Sequence, residues 1–203
     1  MKKLTIQALL NKNWIDIAEL KLLEPKLGSA SASELEYELD YAIQYLDRRD
    51  EHACSLSLPV QILIKHESDT WFGFLDDIVP SGAARRYWVN YLDLQRLTYA
   101  EQESILLEKG GMAPVGNLRI KEALPPLNPD STLHLRYFSK EDVAERNIDF
   151  LEYAQQMGAI SGGATGAGGE APKLLIRVSP EQKVWIDTYQ EKFRSEEHTS
   201  ELQ

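Results

Sequence analysis

Residues 34–41 read Glu-Leu-Glu-Tyr-Glu-Leu-Asp-Tyr, an unbroken alternation of carboxylates and apolar side chains. A period of two is that of an extended strand. It puts Leu35, Tyr37, Leu39 and Tyr41 on one face and the four acids on the other. Such a strand needs one packed and one wet face, which antiparallel sheets provide. The acidic stripe is read as the solvated face rather than a binding surface. A second strand is expected within Cys54–Ile64, where Pro59 marks an edge or a bend.

The pattern then becomes helical. Trp71, Phe74, Leu75, Ile78 and Val79 recur at helical spacing. Pro80-Ser81-Gly82 interrupts them, and Ala84, Tyr87, Trp88, Tyr91 and Leu92 resume. Two helices joined by a tight turn are expected, with the Trp and Tyr cluster as core. A third helix starts at Thr98, whose capping box is completed by Glu101, and ends at Gly110-Gly111. Pro114–Ile120 predicts a short strand, and the prolines of 124–132 a linker. Ser139–Gly158 predicts a fourth helix, with Ser139 as N-cap and Gly158 just past its end. The alternation in Lys173–Val178 and Lys183–Tyr189, with a turn between, predicts a hairpin.

Charge and composition exclude several classes. The net charge of the 203-residue chain is −10, which opposes general nucleic-acid binding; Arg48-Arg49 and Arg85-Arg86 are isolated pairs. A single cysteine, Cys54, forms no internal disulfide and reads as a small buried residue. The four histidines have no His or Cys partner at metal-ligand spacing, so no zinc site is expected. Asp76-Asp77 reads as a surface pair on a helix. The apolar part of the first fourteen residues is broken by Asn11-Lys12-Asn13, too early for a signal peptide, and no run approaches a membrane span. A cytoplasmic protein is expected. Residues 194–203, Arg-Ser-Glu-Glu-His-Thr-Ser-Glu-Leu-Gln, resemble a translated sequencing-adapter read. They are expected to be artefactual and are set aside from fold reasoning.

Six of the twelve glycines fall between Gly158 and Gly169. Glycines admit positive φ and let backbone amides approach an anion with no Cβ in the way. The segment ends in Glu-Ala-Pro-Lys, and a lysine there would add a point charge to phosphate oxygens. It lacks the Gly-Lys-Ser/Thr of a Walker A loop. It also lacks the strand-before, helix-after context of a dinucleotide fingerprint. Chemistry alone leaves a phosphate-gripping loop and a structural glycine turn both open.

Four segments in order add a resemblance. Ser55–Val60 (Ser-Leu-Ser-Leu-Pro-Val), Phe72–Trp88, Gly110–Ile120 and Ile160–Ile176 are similar to successive segments of the HipA-type serine/threonine kinases, the toxin half of bacterial toxin–antitoxin pairs. The chain departs from that pattern in three places. Its glycine segment is longer, Asp77-Ile78 replaces a Leu-Leu pair, and Met112 stands where the family often has Asp. The resemblance implies that Gly162, Gly163, Gly166, Gly168 and Gly169 lie on ATP and that Lys173 is the terminal lysine of the loop. It makes Ser161 an autophosphorylation candidate, where a dianion would push the loop from its ATP-binding form. For the intact protein it further implies ATP and Mg²⁺, neither expected to be demonstrable on the fragment, together with a protein substrate in translation and a DNA-binding antitoxin partner. No Asp/Asn set within residues 1–193 is spaced like a kinase catalytic loop, so no catalytic residue is assigned.

The expected fold is α+β. A HipA-like N-terminal subdomain, a small antiparallel β-barrel or sheet with a helical cluster, is expected over 1–123 and a linker over 124–133. The start of a kinase-like N-lobe is expected over 134–193, with the helical C-terminal lobe missing. The expected function is that of an N-terminal fragment of an ATP-dependent protein kinase, inactive alone. The alternatives are a stand-alone interaction module that binds a kinase or antitoxin in trans, and a nucleotide sensor without catalysis.

Overall fold

A computed structural model describes residues 1–111, 116–124, 136–160 and 176–186. The fold is α+β. Its main sheet has five antiparallel strands in the order β4-β3-β2-β1-β5, open at both edges rather than closed into a barrel.

The sheet is seeded by β1 (Lys2–Leu10) and β2 (Asn13–Leu22), joined through Asn11 and Lys12 at φ 49° and 64°. Two consecutive left-handed residues between paired Leu10 and Asn13 make the tight hairpin turn whose twist matches the strands. The Asn11-Lys12-Asn13 break in the apolar run is therefore this turn. On the inner face Leu4, Ile6, Ala8 and Leu10 alternate as β1 requires. The register then slips between Ile6 and Gln7, which face Ala18 and Asp16. Ile17 is the extra residue of this bulge, and both Ile17 and Ala18 are buried.

β3 spans Ser33–Tyr37 and pairs β2 with Leu35 opposite Leu20. The alternation predicted to run to Tyr41 stops at Tyr37, because Leu39–Gln44 forms a helix, α1. Tyr37 and Tyr41 satisfy both periods, two and about four, so the pattern failed only at Leu39. That side chain is exposed instead of facing the core. The outer face bears out its solvated assignment. Glu19 and Glu34 interleave with Lys3, Lys21 and Lys65 at 3.1–3.9 Å.

The strand expected within Cys54–Ile64 is absent from the described residues of that segment. Only an isolated Ser55–Leu58 bridge forms, and the next strand is β4 (Lys65–Ser68). Pro59 brings no donor to a ladder. Its carbonyl instead lies 3.0 Å from the His66 ring, and Leu63 turns the chain at φ 56°.

The first of the two expected helices is a 3-10 turn, Gly73–Asp77; the second is α2, Gly82–Tyr91. Trp71, Leu75, Ile78 and Trp88 join the core, whereas Tyr91 is exposed. α3 (Tyr99–Gly110) begins at the predicted Thr98–Glu101 capping box, and the Gly111 carbonyl accepts the Ile120 amide at 2.8 Å. A Cβ on Gly111 would sit 3.0 Å from the Ile120 side chain and one on Gly110 2.4 Å from the Pro80 ring, so Gly111 lets the end of α3 meet β5 (Leu118–Ile120) closely and Gly110 admits Pro80. Gly28, at φ 56°, serves a similar approach. It lets the 3-10 segment Pro25–Ala30 lie on α3, where Glu103 accepts the Ser29 amide at 2.8 Å.

The single helix expected over Ser139–Gly158 is two. α4 (Lys140–Ala144) is capped by Ser139 and Asp142, as read from the sequence for Ser139. The chain turns at Arg146 (φ 54°), and α5 runs from Ile148 to Ile160. Asn147 restarts the helix by accepting the Asp149 amide at 3.0 Å. Gly158 accordingly lies inside α5, not beyond it. The hairpin forms as β6 (Ile176–Val178) and β7 (Val184–Ile186).

Candidate phosphate-binding segment

The glycine segment joins the end of α5 to the start of β6. Ser161, Gly162, Gly163, Gly166, Gly168, Gly169 and Lys173 all lie outside the described residues, as do residues 194–203. Its two anchors are described. Phe138, Phe150, Tyr153, Ala154 and Ile186 form a second apolar cluster, separate from the sheet's core. The Phe138 ring meets Phe150 edge-on at 5.2 Å and Tyr153 at 5.4 Å. Phe138 also pairs with β7, its amide donating to the Val184 carbonyl at 2.9 Å and its carbonyl accepting at 2.8 Å. One residue thus ties the hairpin to α5.

The hairpin turn has its own logic. Ser179 and Lys183 close it, with the Ser179 amide 2.8 Å from the Lys183 carbonyl. Between them Pro180 supplies a fixed φ and Gln182 takes the left-handed position (φ 67°), the usual build of a three-residue loop. Lys183 lies 5.8 Å from the Tyr137 ring, and Tyr137 meets Trp185 edge-on at 5.7 Å.

Helix polarity limits what this site can do. An anion at Ser161 would follow the C-terminus of α5, where the dipole is negative. Any phosphate grip must therefore come from the loop's own amides and from cations such as Lys173, not from the helix.

Other chemistry-bearing groups have structural partners. Cys54 is buried, its thiol pushed up to about 12 by burial, and its amide donates to the Tyr37 hydroxyl at 2.9 Å. Asp76 accepts the Trp71 indole N–H at 3.0 Å. Asp50, Glu51 and His52 cluster closely enough to suggest a cation site. But Asp50 Oδ1 accepts the His52 amide at 3.1 Å and faces its Nδ1 at 2.8 Å, and Oδ2 pairs with Arg48 at 3.1 Å. Those bonds hold the Asp50 carboxyl below its usual range. They account for the cluster as a turn.

One network escaped the sequence reading. Arg119 on β5 is buried, and its Nε donates to Gln7 Oε1 at 2.8 Å. Gln7 Nε2 donates to Asp16 Oδ1 at 2.6 Å, and Lys121 reaches Asp16 Oδ2 at 2.5 Å. The guanidinium lies 4.0 Å from the Trp14 ring. Burial pulls Arg119 down to about 10. Burial works against the Asp16 carboxylate, but the Lys121 and Gln7 hydrogen bonds outweigh it and hold Asp16 below its ordinary value. The chain stitches β5 to the β1–β2 bulge. No spacing in the sequence announces it, because the bulge decides which residues meet.

Among the described residues no helix is long and apolar enough to cross a membrane. Neither the scan against protein-family models nor the search of the curated proteins returned a match.

Proposed function

We propose that this chain is the nucleotide-gripping N-terminal part of a HipA-type protein serine/threonine kinase, with residues 161–173 as its ATP phosphate loop. The observation that carries this is the order helix, glycine segment, hairpin, with α5 on one side of the segment and the second hairpin strand, β7, sharing one packed cluster. A linker between independent units would not need ends held together. The four family-like segments support the same reading. Transfer of the γ-phosphoryl of ATP to a serine or threonine of a translation component, and pairing with a DNA-binding antitoxin, rest on that resemblance alone. Residues 1–193 hold no Asp/Asn set at catalytic-loop spacing, so no phosphoryl transfer is expected of this chain alone.

Limited proteolysis tests the loop. ATP should protect bonds within 161–173, and Lys173→Ala should remove the protection. Identical digestion with and without millimolar ATP would overturn the assignment. It would favour the second reading, an interaction module acting in trans, to which the separate apolar core of residues 1–124 lends itself.

A further inference from the structure

The hairpin presents two unlike faces. β7 is the middle of three paired segments, with the Phe138 bridge on one side and β6 on the other. Phe138, Val184 and Ile186 are buried on the inner face. Alternation sends Tyr137, Trp185 and Arg177 to the other face. The registers Phe138–Val184 and Arg177–Trp185 set these three in one row across the segments. The contacts agree: the Tyr137 and Trp185 rings lie 5.7 Å apart at 68°, and the Lys183 ammonium is 5.8 Å from the Tyr137 ring. Tyr137, Arg177 and Lys183 are exposed, and Trp185 is half-buried. One ring can therefore support a flat ligand while the other walls it.

The chemistry of this face selects the occupant. Tyr137, Trp185, Arg177 and Lys183 bring two rings and two cations and no aliphatic side chain. The one acid of the described hairpin is Glu181, in the turn. Nearby, Lys140 and Glu141 offset each other, and Asp142 is held by the Ser139 amide and hydroxyl at 2.9 and 2.8 Å. Arg136 lies toward the inner side, over the Phe138 and Tyr153 rings. A lipid surface or a leucine-lined helix gains little from a face without aliphatic groups. A second copy meeting it about a two-fold axis would set Arg177 and Lys183 against themselves. An acidic peptide would satisfy the cations and leave the rings unused. A single nucleic-acid strand uses both, its bases on the rings and its phosphates on the cations.

We infer that the Tyr137–Trp185–Arg177 row binds single-stranded nucleic acid, with a base against the rings and phosphates on Arg177 and Lys183. The chain's net charge of −10 opposes phosphate elsewhere, so binding is confined to this face and sensitive to salt. A duplex keeps its bases stacked inside and offers the rings nothing. The inference is independent of the nucleotide reading, since it uses no residue of 161–173.

Fluorescence anisotropy in low salt tests it, using the whole chain with labelled oligo-dT, labelled oligo-U and a duplex of the same length. A single strand should bind at least fivefold tighter than the duplex. Binding of oligo-U alone would identify the strand as RNA, and of oligo-dT alone as DNA. Trp185→Leu removes a stacking face and should weaken binding at least fivefold. Arg177→Ala should weaken it too and lower the slope of log affinity against log salt by about 0.7. Saturating ATP should leave the strand bound. Equal binding of the duplex would show charge attraction alone and overturn the inference. So would no binding of either strand, or unchanged binding by Trp185→Leu. Displacement by ATP would place the strand on the glycine segment and overturn it as well. If Trp185→Leu lowers the Tm, Arg177→Ala, at an exposed position, must still weaken binding and lower the slope, or the inference fails.

Discussion

The sheet region, residues 1–124, and the helix–hairpin region, residues 136–186, are stabilised differently. In the first, side chains from every strand but β4, from α1 to α3 and from the chain between them share one core. The second rests, among the described residues, on six buried side chains, five of them in one cluster, around a pair of three-residue strands. Short two-stranded sheets are marginal alone and gain stability from a packed helix, here α5. A region with few buried contacts opens more easily.

That contrast predicts graded responses. Leu20 is fully enclosed in the sheet, and Leu20→Ala should cost about 2–5 kcal/mol and lower the Tm of the whole molecule. Ile186→Ala removes an enclosed side chain from the small cluster. Hydrogen exchange should then rise in α5 and β7 while β1–β3 keep their protection; a uniform rise would mean the two regions unfold as one. Thr98→Ala removes the cap of α3 and should cost about 1 kcal/mol in denaturant unfolding.

A smaller, pH-dependent effect belongs to Asp16. Its carboxyl titrates below its ordinary value of 3.8, so it contributes stability that is present above that value and lost as pH falls through the folded pKa. Wild type should exceed Asp16→Asn in stability at neutral pH, and the difference should shrink as pH falls below 3.8 and vanish below the folded pKa. A constant difference across that range would show that Asp16 acts by packing rather than charge.

How far the sequence could be read varied with the range of the interactions. Locally coded features were legible: the Thr98–Glu101 box, the Ser139 cap, the β6–β7 turn and the burial of Cys54. The expectation of a packed and a wet sheet face also held. The misses came where two periods coincide or a turn intervenes. Tyr37, Tyr41 and Tyr45 fit a helix as well as a strand, and Arg146 breaks a helix that periodicity alone would continue. The bulge at Ile17 shifts the phase of β2, and so decides that Asp16 faces Gln7, which in turn holds Arg119 on β5. Of the candidate site, the flanking helix and hairpin were legible; the glycines and Lys173 fall outside the described residues.

The most direct test of the nucleotide reading is calorimetric titration of the chain with a slowly hydrolysed ATP analogue and Mg²⁺, beside the Lys173→Ala variant. Saturable binding that weakens at least tenfold in the variant is the expected result. No binding by the wild-type chain at millimolar analogue, or equal binding by the variant, would contradict it.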